Sequence, residues 1–135
     1  MTDTPAALDL GRVYQTADEI ADGFEATLEC GLPVRLARTN SPKFLHFAGV
    51  AQKRFGRNGK IPPDKTLDAV IFTMARSVFL AFHGSVIVQG TKMQDSVEAR
   101  ELILRTYPDL REEIATLSSV ADDDYKEAFE DSGKD

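Results

Sequence analysis

The sequence predicts a mainly α domain of the α+β class, four to five helices packed as a small bundle with an N-terminal β-hairpin. Three observations carry this. From residue 41 onward, apolar residues recur three and four apart, the spacing of a helix that buries one face. Between residues 24 and 38 they alternate with polar residues, the period of a half-buried strand. The 135 residues, 42% hydrophobic and 28% charged, are one domain's worth of chain and can bury a real core. The expected division is a flexible acidic N-terminus over 1–22, the hairpin over 24–38, the helical bundle over 41–130 and a frayed tail over 131–135.

Each element has its own signal. Residues 1–22 mix small and acidic residues without a sustained period, and a short helical turn over 16–21 is their one candidate element. Phe24, Ala26, Leu28 and Cys30 alternate with Glu25, Thr27 and Glu29, which predicts a strand with Cys30 as an inert, buried thiol on its apolar side. Gly31-Leu32-Pro33 breaks that strand, and Val34 to Arg38 resume it as the second arm of the hairpin. A hairpin alone is marginal in water, so this one needs a helix to lie on or a further strand. Ser41 as N-cap and Pro42 at the first position open a helix. Its apolar face is Phe44, Phe47, Ala48, Ala51 and Phe55, and Gly56, Asn58 and Gly59 stop it. After Ile61-Pro62-Pro63-Asp64, a second helix is expected to reach Phe82, with Leu67, Val70, Ile71, Met74 and Val78 as one stripe. It is apolar nearly all round and should be the most buried helix.

His83-Gly84 ends that helix, and residues 85–90 read as a strand or extended link between glycines. Asp95 with Glu98 reads as a capping box for a third helix carrying Ala99, Leu102, Ile103 and Tyr107. Pro108 opens a fourth, with Asp109, Glu112 and Glu113 in its acidic first turn and Leu110, Ile114, Leu117 and Ala121 as its buried side. Asp122-Asp123-Asp124 reads as the cap of a last short helix with Tyr125 and Phe129.

Charge and composition exclude several classes. Sixteen Lys+Arg against 22 Asp+Glu leave a net charge of −6, which argues against a general polyanion binder. A single cysteine excludes an internal disulfide and a cysteine metal cage and fits a reducing compartment. No apolar run approaches the ~20 residues of a membrane span, and the acidic first 22 residues lack a signal-peptide layout. The charge is also segregated: −6 over residues 1–30, +7 over 31–65 and −7 over 66–135. Either the basic segment packs near its acidic flanks, or it is a docking face for an acidic partner.

No chemistry-bearing constellation emerges. His46, His83 and Cys30 have no metal-ligand spacing. Asp122-Asp123-Asp124 lacks the glycine and spacing of a calcium loop. In Gly56-Arg57-Asn58-Gly59-Lys60, Ile61 stands where a phosphate loop needs a hydroxyl. No catalytic, cofactor-binding or metal-binding residue is assigned, and no enzyme is expected. The candidate partner-binding residues are Lys43, His46, Lys53, Arg54 and Arg57, a basic face on the first helix. Nucleic acid is disfavoured there because the interleaved Phe44, Phe47 and Phe55 share the apolar stripe and belong to the core, not to a stacking platform.

Two stretches resemble a known family. The first is Val34-Arg35-Leu36-Ala37-Arg38-Thr39-Asn40-Ser41-Pro42-Lys43-Phe44, an extended segment leading through an Arg and an Asn into a helix with an early aromatic. The second begins at Phe82-His83-Gly84 and passes Gly90 to the helix opening Asp95-Ser96-Val97-Glu98-Ala99. It continues through Leu102-Ile103-Leu104, Tyr107-Pro108-Asp109-Leu110, Ile114 and Ala121-Asp122 to Phe129. Together, over roughly half the chain, these resemble the tail assembly chaperones of phages with long non-contractile tails, of related prophages and of tail-like elements. Many members have a Trp where this chain has Phe82 and His83, and Gly90-Thr91-Lys92-Met93 lacks their usual acidic-Gly turn.

The resemblance implies a non-enzymatic role in the host cytoplasm. Such a protein binds the tape measure protein, keeps it soluble, helps recruit tail tube protein and is absent from the mature virion. It implies no cofactor, no small-molecule substrate and no membrane, and leaves a homo-oligomer open. The alternatives are another phage structural adaptor, either a tail-completion or a head–tail connector protein, and a small helical nucleic-acid-associated regulator.

Overall fold

The structure, a computed structural model, describes residue 7 and residues 23–132. The expected flexible start over 1–22, residue 7 apart, and the last three residues of the expected frayed tail lie outside the described residues. The α+β class is borne out: four α-helices among the described residues accompany an N-terminal antiparallel sheet.

The predicted hairpin forms from β1, Phe24–Thr27, and β2, Pro33–Leu36, with Phe24 opposite Leu36 and Thr27 opposite Pro33. It turns at residues 28–32, where the Gly31 N–H donates to the Leu28 carbonyl and Gly31 takes φ +93°. Cys30 sits in this turn and is exposed, not buried on the strand face, because the chain turns after Leu28 and the alternation, kept as far as buried Leu28 and exposed Glu29, breaks at Cys30. The hairpin gains a third strand, β3, Phe79–Phe82, antiparallel to β2, in the order β1-β2-β3. Val34 and Leu36 on the central strand are fully buried.

β3 corrects the second helix. Helix α1, Pro42–Phe55, matches expectation: the Ser41 hydroxyl accepts from the Phe44 N–H at 3.0 Å and Pro42 takes the first position. A 3₁₀ turn, Pro63–Lys65, leads into helix α2, Thr66–Ser77, which stops five residues before Phe82. Residues 67–82 are apolar on nearly every side, so no change of period marks where helix gives way to strand. Tertiary demand decides it, since β2 needs a partner on its second edge. Helix α2 is the most buried of the helices, with seven buried residues including Ile71, Phe72 and Ala75. Leu67 and Val70, expected in its buried stripe, are 42% and 41% exposed.

Residues 85–93 form a second hairpin where only one extended segment was expected. β4, Val86–Val88, pairs with β5, Thr91–Met93, through a two-residue turn at Gln89-Gly90. Both turn residues take positive φ, 49° and 84°, which matches the turn twist to the strands. Helix α3, Val97–Thr106, is capped by the Ser96 hydroxyl on the Ala99 N–H, one residue after the expected Asp95. Asp95 instead accepts from the Arg100 guanidinium at 2.7 Å and from the Phe82 N–H, tying β3 to α3. Arg100 also donates to the Ala75 carbonyl in the last turn of α2.

Helix α4, Pro108–Ser132, runs unbroken where two helices and a fraying end at 131 were expected. Asp122 does not cap a new helix. It is buried mid-helix against Arg38, and that contact removes the reason for a break. The main core gathers Val34, Leu36, Ile71, Phe79, Ile103 and Leu104 between sheet and helices, with Ile114 from α4. A smaller cluster of Ala51, Ala69 and Phe72 joins α1 to α2, with Phe47 and Phe55 packed on it.

Candidate functional site

The structure places two kinds of surface in different parts of the molecule. The first is the predicted basic face. Lys43, His46, Lys53 and Arg54 are exposed on α1, because its opposite side, Phe44, Phe47, Ala51 and Phe55, is turned into the two core clusters. His46 lies edge-on to Phe47, with ring centroids 5.0 Å apart. The Arg54 guanidinium lies over the Phe55 and Phe72 rings at 5.5 and 5.2 Å while the residue as a whole stays exposed. Arg57 is not on the helix. It begins a tight turn in which Arg57 and Lys60 exchange backbone hydrogen bonds, with Asn58 at φ 54° and Gly59 at φ 78°. The turn and the end of α1 wall a cavity of about 360 Å³ lined by Arg54, Arg57, Asp64 and Lys65 among others. Lys65 joins the basic end of this surface and also faces Asp68 at 3.9 Å. No acid forms an ion pair with Lys43, Lys53, Arg54 or Arg57 among the described residues.

The second surface was not expected. Two depressions of about 580 and 910 Å³ share Cys30, Tyr107 and Leu110 in their walls and therefore adjoin. The smaller is lined by Leu32, Val86, Ile87, Val88 and Ile103, where the β1–β2 turn and the β4–β5 hairpin meet the corner between α3 and α4. The larger runs along α4 past Leu117 and is rimmed by Glu29, Asp109, Glu112 and Glu113. Neither is lined by a lysine or an arginine, and none of the five predicted binding residues takes part in them. Leu110 and Leu117, expected on the buried side of α4, are only half-buried and form this floor, while Ile114 between them is fully buried. Ile87 is 70% exposed and Tyr107 38%.

Local hydrogen bonds hold the depression open. The Glu29 N–H donates to a Glu113 carboxylate oxygen at 2.9 Å, pinning the hairpin turn to α4. Arg111 donates to the Leu104 carbonyl at 2.8 Å and closes the α3–α4 corner. At the other end, the His83 Nε2–H donates to Glu25 at 2.7 Å, and Arg35 approaches the same carboxylate at 3.4 Å. The hydrogen bond from His83, with Arg35 adding to it, holds the Glu25 carboxyl below its ordinary range.

The one signal in the sequence for this surface is the apolar-acidic mixture over 107–117, where Tyr107, Leu110 and Leu117 alternate with Asp109, Glu112 and Glu113. Its meaning depends on the hairpins that lie opposite. Among the described residues, no three His, Cys, Asp or Glu side chains converge as metal ligands, and no helix is long and apolar enough to cross a membrane. No family model, curated protein or solved structure matches the chain.

Proposed function

We propose that the chain is a tail assembly chaperone that binds the tape measure protein, keeps its long amphipathic helices soluble in the host cytoplasm and helps recruit tail tube protein before leaving the finished virion. The observation that carries this is the open apolar depression between the two hairpins and the α3–α4 corner. A half-exposed Leu110–Leu117 row beside an exposed Ile87 is the kind of surface that accepts the apolar face of a helix. The resemblance over residues 34–44 and 82–129 supplies the partner, and the depression supplies a means of covering it.

Covering a greasy helix requires surface, not reacting groups. The chaperone acts by removing apolar area from water at about 25 cal/mol per Å² and so competes with self-association of the rod. Co-expression with the tape measure protein tests this. The expected result is that the rod moves from the pellet to the soluble fraction and purifies with the chain. A rod equally insoluble with and without the chain, and no recoverable association, overturns the reading.

A further inference from the structure

The adjoining depressions are both apolar, and the larger is acidic at the rim. We infer that they form one seat for an amphipathic helix whose apolar stripe is flanked by Lys or Arg, so that the partner segment docked here is basic. This rests on the reading of the chain as a helix-shielding chaperone and specifies where the helix sits and what charge it carries.

Charge complementarity chooses the occupant. Glu29, Asp109 and Glu112 are exposed, and no Lys or Arg forms an ion pair with them among the described residues. With Glu113 they place four carboxylates around the larger depression, and neither depression is lined by a lysine or an arginine. An acidic stripe laid there meets like charge as the site dries, and a basic one meets its complement.

Dimensions and hydrogen-bonding capacity favour a helix. From Leu110 to Leu117, α4 advances about 10 Å at 1.5 Å per residue, the distance between residues i and i+7 of a docked helix. The floor continues past Leu110 to Leu32 and Ile87 and offers a further anchor point. An extended peptide finds little here. β4 is three residues long, and the alternation of its pairing with β5 leaves Ile87 as the one residue whose N–H and C=O face away from that partner. A strand needs a longer template.

Two synthetic helical peptides with the same leucine stripe, one flanked by Lys and Arg and the other by Glu, test the inference by fluorescence anisotropy against the full chain at low and physiological salt. The basic peptide is expected to bind about tenfold more tightly than the acidic one. Glu112→Lys with Thr116→Lys, both on exposed rim positions, should abolish or invert that preference. Ile87→Ser, at a side chain too exposed to matter for folding, should weaken the basic peptide by about tenfold. Circular dichroism checks that each variant is folded.

Equal affinity for the two peptides, preference for the acidic one, no binding of either, or binding indifferent to all three substitutions overturns the inference. The two proposals fail separately. A tape measure protein kept soluble by a chain carrying the rim reversal and Ile87→Ser retains the chaperone reading and removes this seat. A basic peptide seated here, with the rod left insoluble, retains the seat and removes the chaperone reading.

Discussion

Asp122 lies on α4 with 4% of its side chain exposed, and its carboxylate takes the Arg38 guanidinium at 2.8 Å, Asn40 at 3.1 Å and Lys126 at 3.1 Å. The Tyr125 ring covers the flat face of Arg38 at 3.7 Å, so the pair is closed from water on that side too. Burial by itself raises the Asp122 carboxyl. The hydrogen bonds from Asn40, Lys126 and Arg38 outweigh it and leave the group below its ordinary value. Removing one partner strands the other charge: Asp122→Ala should lower the unfolding free energy by about 3 kcal/mol or more in urea titration, while Arg38→Met with Asp122→Leu should recover most of it. The pH dependence follows from the direction of the shift. As pH falls, the unfolded chain takes up this proton before the folded one, so the contribution is complete above the unfolded value of about 4 and disappears as pH falls through the lower folded value. Urea titrations at a series of pH values should show a steeper acid loss in the parent chain than in Asp122→Asn.

At the scale of elements, the exchange of a helical turn for β3 is the decisive event. Phe79 is fully buried in the strand, and Phe79→Ala should cost about 3–5 kcal/mol by leaving a cavity between sheet and α2. Leu67, which the periodicity placed in the same apolar run, is 42% exposed, and Leu67→Ala should cost under about 1 kcal/mol. Thermal and chemical denaturation of the two variants measure the contrast. It also marks how far the sequence is legible. Helix α1 was readable because one side is Phe44, Phe47, Ala51 and Phe55 and the other is charged, with Ser41 and Pro42 announcing its start. The segment over 67–82 has no polar side to set a phase, so helix and strand give the same pattern. Asp122-Asp123-Asp124 suits a first turn by composition, but the partner that buries Asp122 lies 84 residues earlier in the chain. The basic half of the candidate site was visible because one helix and the turn after it carry it. The depression was not, because residues from both hairpins and two helices meet there, and no local spacing encodes their meeting.

For the whole molecule, segregation of charge along the chain becomes segregation in space: a basic α1 face with its following turn, and an acid-rimmed apolar depression that none of the α1 residues lines. The two surfaces can therefore act at different stages of one encounter. Exposed, unpaired charges act over about a Debye length, roughly 8–10 Å, and change the rate of approach more than the lifetime of the complex. Desolvated apolar contacts act only once the partner is seated, and they set the rate of departure. Lys53→Glu with Arg57→Glu changes two exposed side chains and should leave stability within about 0.5 kcal/mol of the parent. On immobilised tape measure protein it should slow association at low salt, with the deficit fading as salt rises, and leave dissociation nearly unchanged. Ile87→Ser should do the reverse, accelerating dissociation by about tenfold with little effect on association at any salt. Surface plasmon resonance separates the two rates. An association rate at low salt indifferent to the double reversal takes Lys53 and Arg57 out of the interface, whereas the same rate raised by it means that α1 faces a basic region of the partner and opposes docking.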